Sequence, residues 1–92
     1  MPQKDKFKIL VVDEDQKLCE GLVKKLESED YDVEQAVNGK TALEKAMPSL
    51  SSNGFSPYDL IIYDSQLVDL HFSTFLKRIK GIDEYLPIIV TG

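Results

Sequence analysis

Acidic side chains follow two apolar runs of the sequence, at the point where each run ends. Asp13 and Glu14 come directly after residues 7–12, and Asp64 comes directly after residues 60–63. If the two runs form neighbouring parallel strands, these acids meet at the edge of the sheet where open α/β sheets bind ligands. Carboxylates that share one pocket repel one another unless a cation joins them. Oxygen ligands without a nearby histidine or cysteine favour a hard ion, so the pattern predicts a Mg²⁺ site.

The strand before Asp64 is the element that must position this site. Leu60, Ile61 and Ile62 place no polar side chain on either face, which predicts a central parallel strand buried by helices on both sides. The whole chain alternates strand, helix, strand, helix, strand, helix, strand. This order is typical of an α/β domain with a parallel sheet and right-handed crossovers. The predicted strands are 7–12, 31–37, 57–64 and 87–90.

The first predicted helix lies directly after the first acids. Asp15 is its predicted N-cap, because a short acidic side chain can accept hydrogen bonds from the unpaired N–H groups of a first turn. The helix is predicted to end near residues 28–30, with lysine and glutamate on its solvent face. Its predicted apolar stripe is Leu18, Cys19, Leu22, Val23 and Leu26.

Turn and loop signals separate the remaining elements. Asn38-Gly39 predicts a turn before a short second helix, and Gly81 predicts the end of a third helix that begins near Ser73. Segments 47–57 and 65–71 are predicted loops, and residues 1–6 a flexible lead-in. The residues predicted to face inward are Ala42, Leu43 and Ala46 in the second helix and Phe72, Phe75, Leu76 and Ile79 in the third.

The composition is that of one small cytoplasmic domain. The 92 residues are 42% hydrophobic and carry a net charge of -5, whereas a general nucleic-acid binder needs a basic face. The single cysteine, Cys19, excludes an internal disulfide and fits a reducing compartment. No apolar run approaches the roughly 20 residues of a membrane span. The single histidine, His71, lies in a polar loop and is interpreted as a surface residue.

Four sequence blocks together resemble a response-regulator receiver domain of the CheY-like family. They are residues 8–14, 36–39, 59–64 and 87–92, and their order and spacing carry the resemblance. The resemblance implies a flavodoxin-like, three-layer αβα fold with a parallel sheet of strand order 2-1-3-4-5. It also implies two-component signal transduction, in which a sensor histidine kinase or a phosphotransfer protein passes a phosphoryl group to an aspartate.

The resemblance implies a role for each residue of the predicted site. Asp64 would be the phosphoryl acceptor, since a carboxylate can attack phosphorus directly and form an acyl phosphate. Asp13, Glu14 and Asp64 would bind Mg²⁺ together with the backbone carbonyl of Gln66. Thr91 would be a switch hydroxyl that bonds a phosphoryl oxygen and couples phosphorylation to loop movement.

The sequence departs from the family pattern around the acceptor. Val68 and Phe72 stand where the family usually has proline and glycine, which frees the loop backbone and puts the loop geometry in question. The stretch that leads to Thr91 is one residue shorter than usual. Because one residue of slip turns a strand side chain to the other face, Thr91 is expected to miss the pocket unless its strand starts later.

The end of the sequence predicts a receiver domain, residues 1–92, that is incomplete at its carboxyl end. The family's fifth strand, phosphate-binding lysine, and fourth and fifth helices have no counterpart after Thr91. The expected sheet order is therefore 2-1-3-4 with the usual fifth strand absent. Ile88, Ile89 and Val90 would then form an edge strand with one neighbour missing. An apolar edge of this kind predicts a homo-oligomer that forms through the fourth strand.

Two other functions remain open. A receiver-like interaction module without phosphotransfer is favoured by the missing lysine and by Val68 and Phe72. Asp13-Glu14-Asp15 also fits the opening of a haloacid-dehalogenase-type phosphatase, with Asp13 as nucleophile and Asp15 as general acid, although that leaves Asp64 without a role. A P-loop nucleotide hydrolase is a weaker alternative still, because Asp64 could end a Walker-B-like strand but the sequence has no glycine-rich phosphate loop. A receiver is expected to be a regulatory domain rather than an enzyme, with at most self-phosphorylation and self-dephosphorylation.

Overall fold

A computed structural model describes residues 6–48 and 55–92 of the chain. The parts of the predicted lead-in and of the predicted 47–57 loop that fall in 1–5 and 49–54 lie outside the described residues. Within the described ranges, no helix is long and apolar enough to cross a membrane. Strands and helices alternate as predicted, with small shifts at their bounds. They are β1 (Lys8–Val12), α1 (Gln16–Ser28), β2 (Asp32–Ala36), α2 (Gly39–Ala46), β3 (Leu60–Asp64), α3 (Phe72–Ile82) and β4 (Ile88–Thr91).

The strands form one parallel sheet in the order β2-β1-β3-β4. β3 lies inside this sheet, because Ile61 pairs with Leu10 of β1 on one side and Ile62 pairs with Ile89 of β4 on the other. Parallel neighbours need a crossover between them, and a helix supplies each one. The predicted α/β fold, flavodoxin-like with sheet order 2-1-3-4, is confirmed.

The two faces of the sheet are covered unequally. Twelve of the described residues form the larger buried core under α2 and α3, and Tyr63, Phe75 and Ile79 lie at its centre. The buried residues of the opposite face are Ile9, Val11, Cys19 and Val33, which pack with α1. The helix α1 lies over β1 and β2. Leu60 and Ile62 of β3 are therefore half-buried, and the prediction that both faces of β3 are fully buried is wrong on this side.

The first helix is capped as predicted but begins its apolar stripe later. The Asp15 side chain accepts hydrogen bonds from the N–H groups of Lys17 and Leu18 at 3.1 and 3.2 Å. Cys19 is buried, and the rest of the stripe is half-buried. Leu18, predicted to be in this stripe, is instead 65% exposed. The first turn of α1 lies at the carboxyl edge of the sheet, so Leu18 has no strand surface beneath it.

The second helix starts on the residues that were predicted to be a turn. Asn38 is its N-cap, and the side-chain oxygen accepts a hydrogen bond from the N–H of Thr41 at 2.7 Å. Gly39 is the first helical residue. The Asn-Gly pair is thus a helix start rather than a separate turn, since asparagine suits both positions.

The third helix is longer than predicted by one residue at each end. It starts at Phe72 because the exposed His71 caps it, with its Nδ1 accepting from the N–H of Ser73 at 3.1 Å. It runs through the predicted stop, Gly81, to Ile82. The surface placement of His71 is confirmed, and the histidine also fixes where the helix begins.

A polar cluster joins the starts of β1 and β3 to β2 and α2. Tyr58 donates a hydrogen bond to Glu34 at 2.6 Å, and Lys8 and Lys45 lie 3.1 and 3.8 Å from the same carboxylate. The hydrogen bond from Tyr58 holds the pKa of Glu34 below its ordinary value, helped by Lys8 and opposed by burial. Burial, and then Glu34, raise the pKa of Tyr58.

Candidate functional site

The carboxyl ends of β1, β3 and β4 open into a cavity of about 700 Å³. All five residues predicted for the site line this cavity. Asp13 and Glu14 follow β1, Asp64 ends β3, Gln66 lies just beyond it, and Thr91 ends β4. The structure brings the predicted residues together because parallel strands end at the same edge of a sheet. Their roles stay predictions.

Asp64 is the one charged side chain of the described ranges that is buried, with 7% of its surface exposed. Its Oδ1 accepts a hydrogen bond from the N–H of Gln66 at 2.9 Å, and its backbone carbonyl accepts one from the N–H of Leu67 at 3.2 Å. These bonds form a turn directly after β3 that holds the carboxylate at the cavity. A charge at this depth needs donors or a cation beside it.

Asp13 is the second carboxylate at the cavity floor. Its Oδ1 accepts from the N–H of Asp15 at 2.8 Å, and its own N–H donates to the carbonyl of Ala36 at 3.1 Å, which fixes the turn between β1 and α1. Burial raises the pKa of Asp13, and the charge of Asp64 and a hydrogen bond with it add to the rise. The N–H of Asp15 opposes these effects. Burial and the neighbouring charge of Asp64 therefore both disfavour the ionised form of Asp13.

Thr91 pairs directly with Asp64 across the sheet. The pairing follows because β4 starts at Ile88, one residue later than predicted, and this is the condition under which the sequence places Thr91 in the pocket. The N–H of Ser65 donates to the carbonyl of Thr91 at 2.9 Å and fixes the end of the pairing. Directly paired residues share a face of the sheet, so the hydroxyl of Thr91 lies on the same side as the carboxylate of Asp64.

The 65–71 loop tolerates both departures from the family pattern. Val68 is 88% exposed, so its side chain neither packs nor constrains the loop. Outside glycine, Asp30 alone among the described residues has a positive φ, and Phe72 therefore has a backbone that any residue can adopt. The Phe72 ring packs beside Tyr63 with 6.0 Å between centroids. The expected difficulty at Phe72 does not arise.

Gly92 contributes to the site although the sequence analysis gave it no role. Its φ is 98°, in the region that favours glycine, and an added Cβ would lie 2.7 Å from Oδ1 of Asp64 and 2.9 Å from Oγ of Ser65. The backbone after Thr91 therefore packs against the carboxylate of Asp64 itself. This contact depends on the register in which β4 pairs with β3. A glycine at the end of a predicted strand does not reveal that register.

The first helix supplies five further lining residues, which are Lys17, Leu18, Gly21, Leu22 and Lys25. Lys17 and Lys25, predicted on the solvent face, and Leu18, predicted in the core, all line the same cavity. These two lysines bring positive charge to a lining whose other charged residues are all acidic. Helical periodicity shows which residues share a face, but it does not show that the first turn extends past the strands to the cavity.

Asp69 is a further residue of the 65–71 loop that sequence reasoning missed. Its two carboxylate oxygens accept hydrogen bonds from the N–H groups of Gly39 and Lys40, each at 2.9 Å. Slight burial acts to raise the pKa of Asp69, but these and other backbone donors outweigh it, and the pKa is lowered. The partners are about 30 residues apart in the chain, so no local pattern signals the contact.

The donors at the cavity fit a Mg²⁺ ion that is held by few protein ligands. Mg²⁺ takes oxygen ligands, keeps several waters, and needs only one or two carboxylates from the protein. Asp13 and Asp64 supply two carboxylates that line the same cavity, and neither has a salt-bridge partner among the described residues. No three metal-binding side chains converge anywhere in 6–48 or 55–92. The fit therefore depends on the Asp13–Asp64 pair, and Glu14 lies outside that pair.

Comparison with known proteins gives one consistent similarity. Residues 9–92 match the family described as the response regulator receiver domain. The chain is 34% identical over 83 residues to the response regulator ArlR of Staphylococcus saprophyticus, which covers 90% of this chain and 34% of that protein. It is 34% identical over 85 residues to the CpxR homolog of Haemophilus influenzae, a transcriptional regulatory protein, with 92% and 34% covered.

A solved structure gives the same result for the fold. The non-phosphorylated HemR receiver domain of Leptospira biflexa superposes with a TM-score of 0.79 and 28% identity, over 92% of this chain and 63% of that chain. The present chain thus spans about a third of the length of the two regulators. It spans less than two thirds of the solved receiver.

Proposed function

The chain belongs to the family of response regulator receiver domains of two-component systems, and we propose that its Asp64 accepts a phosphoryl group from a sensor histidine kinase or a phosphotransfer protein. The observation that carries this proposal is the buried Asp64 carboxylate, which ends a central strand and shares an open cavity with Asp13. The cavity volume of about 700 Å³ leaves room for a phosphoryl group beside Asp64.

In the proposed reaction, a carboxylate oxygen of Asp64 attacks phosphorus and forms the C–O–P linkage of an acyl phosphate. The bond between phosphorus and the donor nitrogen breaks, and its electron pair leaves with the imidazole, which takes up a proton. Asp13, Asp64 and the carbonyl of Gln66 would hold Mg²⁺, with Glu14 beside them in the lining of the same cavity. When bound, the ion supplies positive charge beside the phosphoryl oxygens. Lys17 lines the same cavity and adds positive charge to it.

We propose that the hydroxyl of Thr91 responds to the phosphorylated state. Its register opposite Asp64 supports this, since a hydroxyl on the acceptor's side of β4 can donate to a phosphoryl oxygen. The carbonyl of Thr91 already accepts from Ser65, the first residue of the 65–71 loop. Movement of Thr91 would therefore displace the first residue of that loop through this hydrogen bond.

The same proposal makes the chain a regulatory domain rather than an enzyme that turns over a substrate. Its chemistry would be limited to accepting a phosphoryl group and losing it by hydrolysis. It would act in the cytoplasm, where its single cysteine stays reduced. This acidic segment would not itself contact nucleic acid.

We also propose that the chain self-associates through the edge of β4. In the described residues β4 pairs with β3 on one side, and Ile89 and Val90 remain 51% and 41% exposed. An apolar edge with unpaired backbone groups is a template for a strand from another chain. Two identical edges related by a two-fold axis would make a closed dimer.

The acceptor is tested by incubation with acetyl phosphate and Mg²⁺ followed by intact mass spectrometry. The wild-type chain is expected to gain one phosphoryl group and Asp64→Asn none. Asp15→Asn is the matched control, because asparagine also caps a helix and the change removes one negative charge from the same cavity. This control is expected to take up phosphate as the wild type does.

Two results would overturn the proposal. A folded wild-type chain that gains no mass would favour the receiver-like interaction module without phosphotransfer. Uptake that survives Asp64→Asn and is lost in Asp13→Asn would favour phosphatase-type chemistry, with Asp13 as nucleophile and Asp15 as general acid.

A further inference from the structure

Asp69 joins the loop after the acceptor to a helix that is distant in the sequence. Its two oxygens accept from the N–H groups of Gly39 and Lys40, each at 2.9 Å. These are the first two N–H groups of α2, which have no carbonyl partner within the helix. Asn38 accepts from the third, that of Thr41, at 2.7 Å. The start of α2 is thus held by two side chains, one local and one from the 65–71 loop.

The packing around this contact leaves the loop little freedom. A Cβ on Gly39 would lie 2.5 Å from Oη of Tyr63 and 2.6 Å from Cβ of Leu70, so the helix meets the loop at a distance that only glycine allows. Tyr63, the fully buried residue before the acceptor, donates to the carbonyl of Leu70. The loop is therefore fixed at its far end by Asp69 and Tyr63 and at its near end by Asp64.

We propose that Asp69 is a positioning residue for phosphoryl transfer, because it fastens to α2 the loop whose backbone binds Asp64 through Gln66. This inference rests on the proposed function of Asp64. Asp69 acts through the loop and contacts neither the acceptor nor the donor. A carboxylate that accepts from two consecutive N–H groups fixes direction as well as distance. A small displacement of a reacting group lowers a rate strongly, so loss of this link should slow transfer.

The test compares Asp69→Ala with Asn38→Ala. Each variant removes one of the two caps of α2, so both weaken the helix, but only Asp69→Ala separates the loop from it. Uptake rates are measured with acetyl phosphate at saturating Mg²⁺, and stability by urea unfolding. We expect Asp69→Ala to slow uptake roughly tenfold or more. Asn38→Ala should stay near the wild-type rate, and Asp69→Asn, which keeps one acceptor oxygen, should fall between them.

Amide hydrogen exchange gives a second result that does not depend on phosphorylation. Asp69→Ala is expected to speed exchange at the N–H groups of Gln66 and Leu67, and Asn38→Ala only at the start of α2. Equal uptake rates and equal exchange in the two variants would overturn the inference. A wild-type chain without uptake would instead overturn the proposed function. The exchange pattern alone would then decide whether Asp69 holds the 65–71 loop against α2.

Discussion

At the scale of single residues, the site depends on two carboxylates that share one space. Asp64 is buried and receives an N–H from Gln66, while burial and the charge of Asp64 raise the pKa of Asp13. Neither carboxylate is neutralised by a lysine or arginine in the described ranges. The pair thus has no internal ion pair in these ranges, which supports the proposed binding of a divalent cation beside it.

Thr91→Val is expected to keep phosphoryl uptake and to lose the response of the 65–71 loop. Valine keeps the shape and the strand preference of threonine but has no hydroxyl to donate. Thr91→Ser keeps the hydroxyl and is the control. The measurement is the change in amide NMR shifts of the loop on phosphorylation, which should be near wild type in the serine variant and much smaller in the valine variant. Equal changes in both would rule out the switch role.

Tyr58→Phe is expected to lower the free energy of unfolding by about 1 kcal/mol near neutral pH, because the ring stays and one hydrogen bond to Glu34 is lost. That bond is the main cause of the lowered pKa of Glu34. A lowered folded-state pKa adds stability above the ordinary value of 4.5, and this stability is lost as pH falls through the folded-state pKa.

The difference between Tyr58→Phe and wild type should therefore shrink in acid, as measured by urea unfolding across pH. Tyr85→Phe is the control, because Tyr85 is 80% exposed and its change should cost little at any pH. A difference for Tyr58→Phe that stays constant into acid would show that Glu34 is not the partner responsible.

At the scale of elements, the sequence was sufficient for the order of strands and helices and insufficient for what lies at their ends. Apolar periodicity located every element, because side-chain spacing directly reflects which face is buried. It placed Leu18 in the core, although the sheet has ended where Leu18 lies. The Asn38-Gly39 pair predicted a turn where the structure has a helix start, because asparagine is common both in turns and at helix caps.

The residues of the candidate site were predictable where they lie at the ends of strands, and not where they depend on contacts between distant segments. Asp64 and Thr91 each end a strand and Asp13 directly follows one, and parallel strands bring their ends together. Asp69 and Gly92 escaped prediction because their contacts depend on packing between distant segments and on strand register. Loop-to-helix contacts of this kind leave no periodic trace in a sequence.

Gly39→Ala is expected to destabilise the chain by about 1–3 kcal/mol, because its Cβ would collide with Tyr63 and Leu70. Gly21→Ala is the matched control, since Gly21 lies within α1 and an added Cβ there meets nothing within 4 Å. Replacing an unhindered helical glycine should stabilise by roughly 0.5–1 kcal/mol. Urea unfolding of both variants decides the point, and a neutral Gly39→Ala would mean that α2 can move away from the loop.

At the scale of the whole molecule, helices cover one face of the sheet well and the other face only in part. The larger core lies under α2 and α3, whereas the opposite face packs with α1 over β1 and β2. Apolar side chains of β3 and β4 are left partly exposed, with Ile89 at 51%. The exposed apolar side chains of β4 support the proposed association through this strand.

Val90→Lys is expected to abolish self-association, because a charge on an edge strand opposes pairing with another chain. Val37→Lys is the control, since Val37 is 43% exposed against 41% for Val90 and lies outside β4. Sedimentation velocity over a range of concentrations should show dimers for wild type and Val37→Lys and monomers for Val90→Lys. A wild-type chain that stays monomeric at every concentration would contradict the proposed edge pairing.

The position of Tyr63 gives the chain an optical property of its own. The sequence contains no tryptophan, so tyrosine fluorescence is not masked. The ring of Tyr63 stacks on Phe75 at 4.2 Å, and its hydroxyl donates to the carbonyl of Leu70 in the 65–71 loop. Loop movement that breaks this bond changes the surroundings of the Tyr63 phenol, which is one residue away from Asp64. Tyrosine emission, with Tyr63→Phe as the blank, should therefore follow phosphorylation in real time without an attached dye.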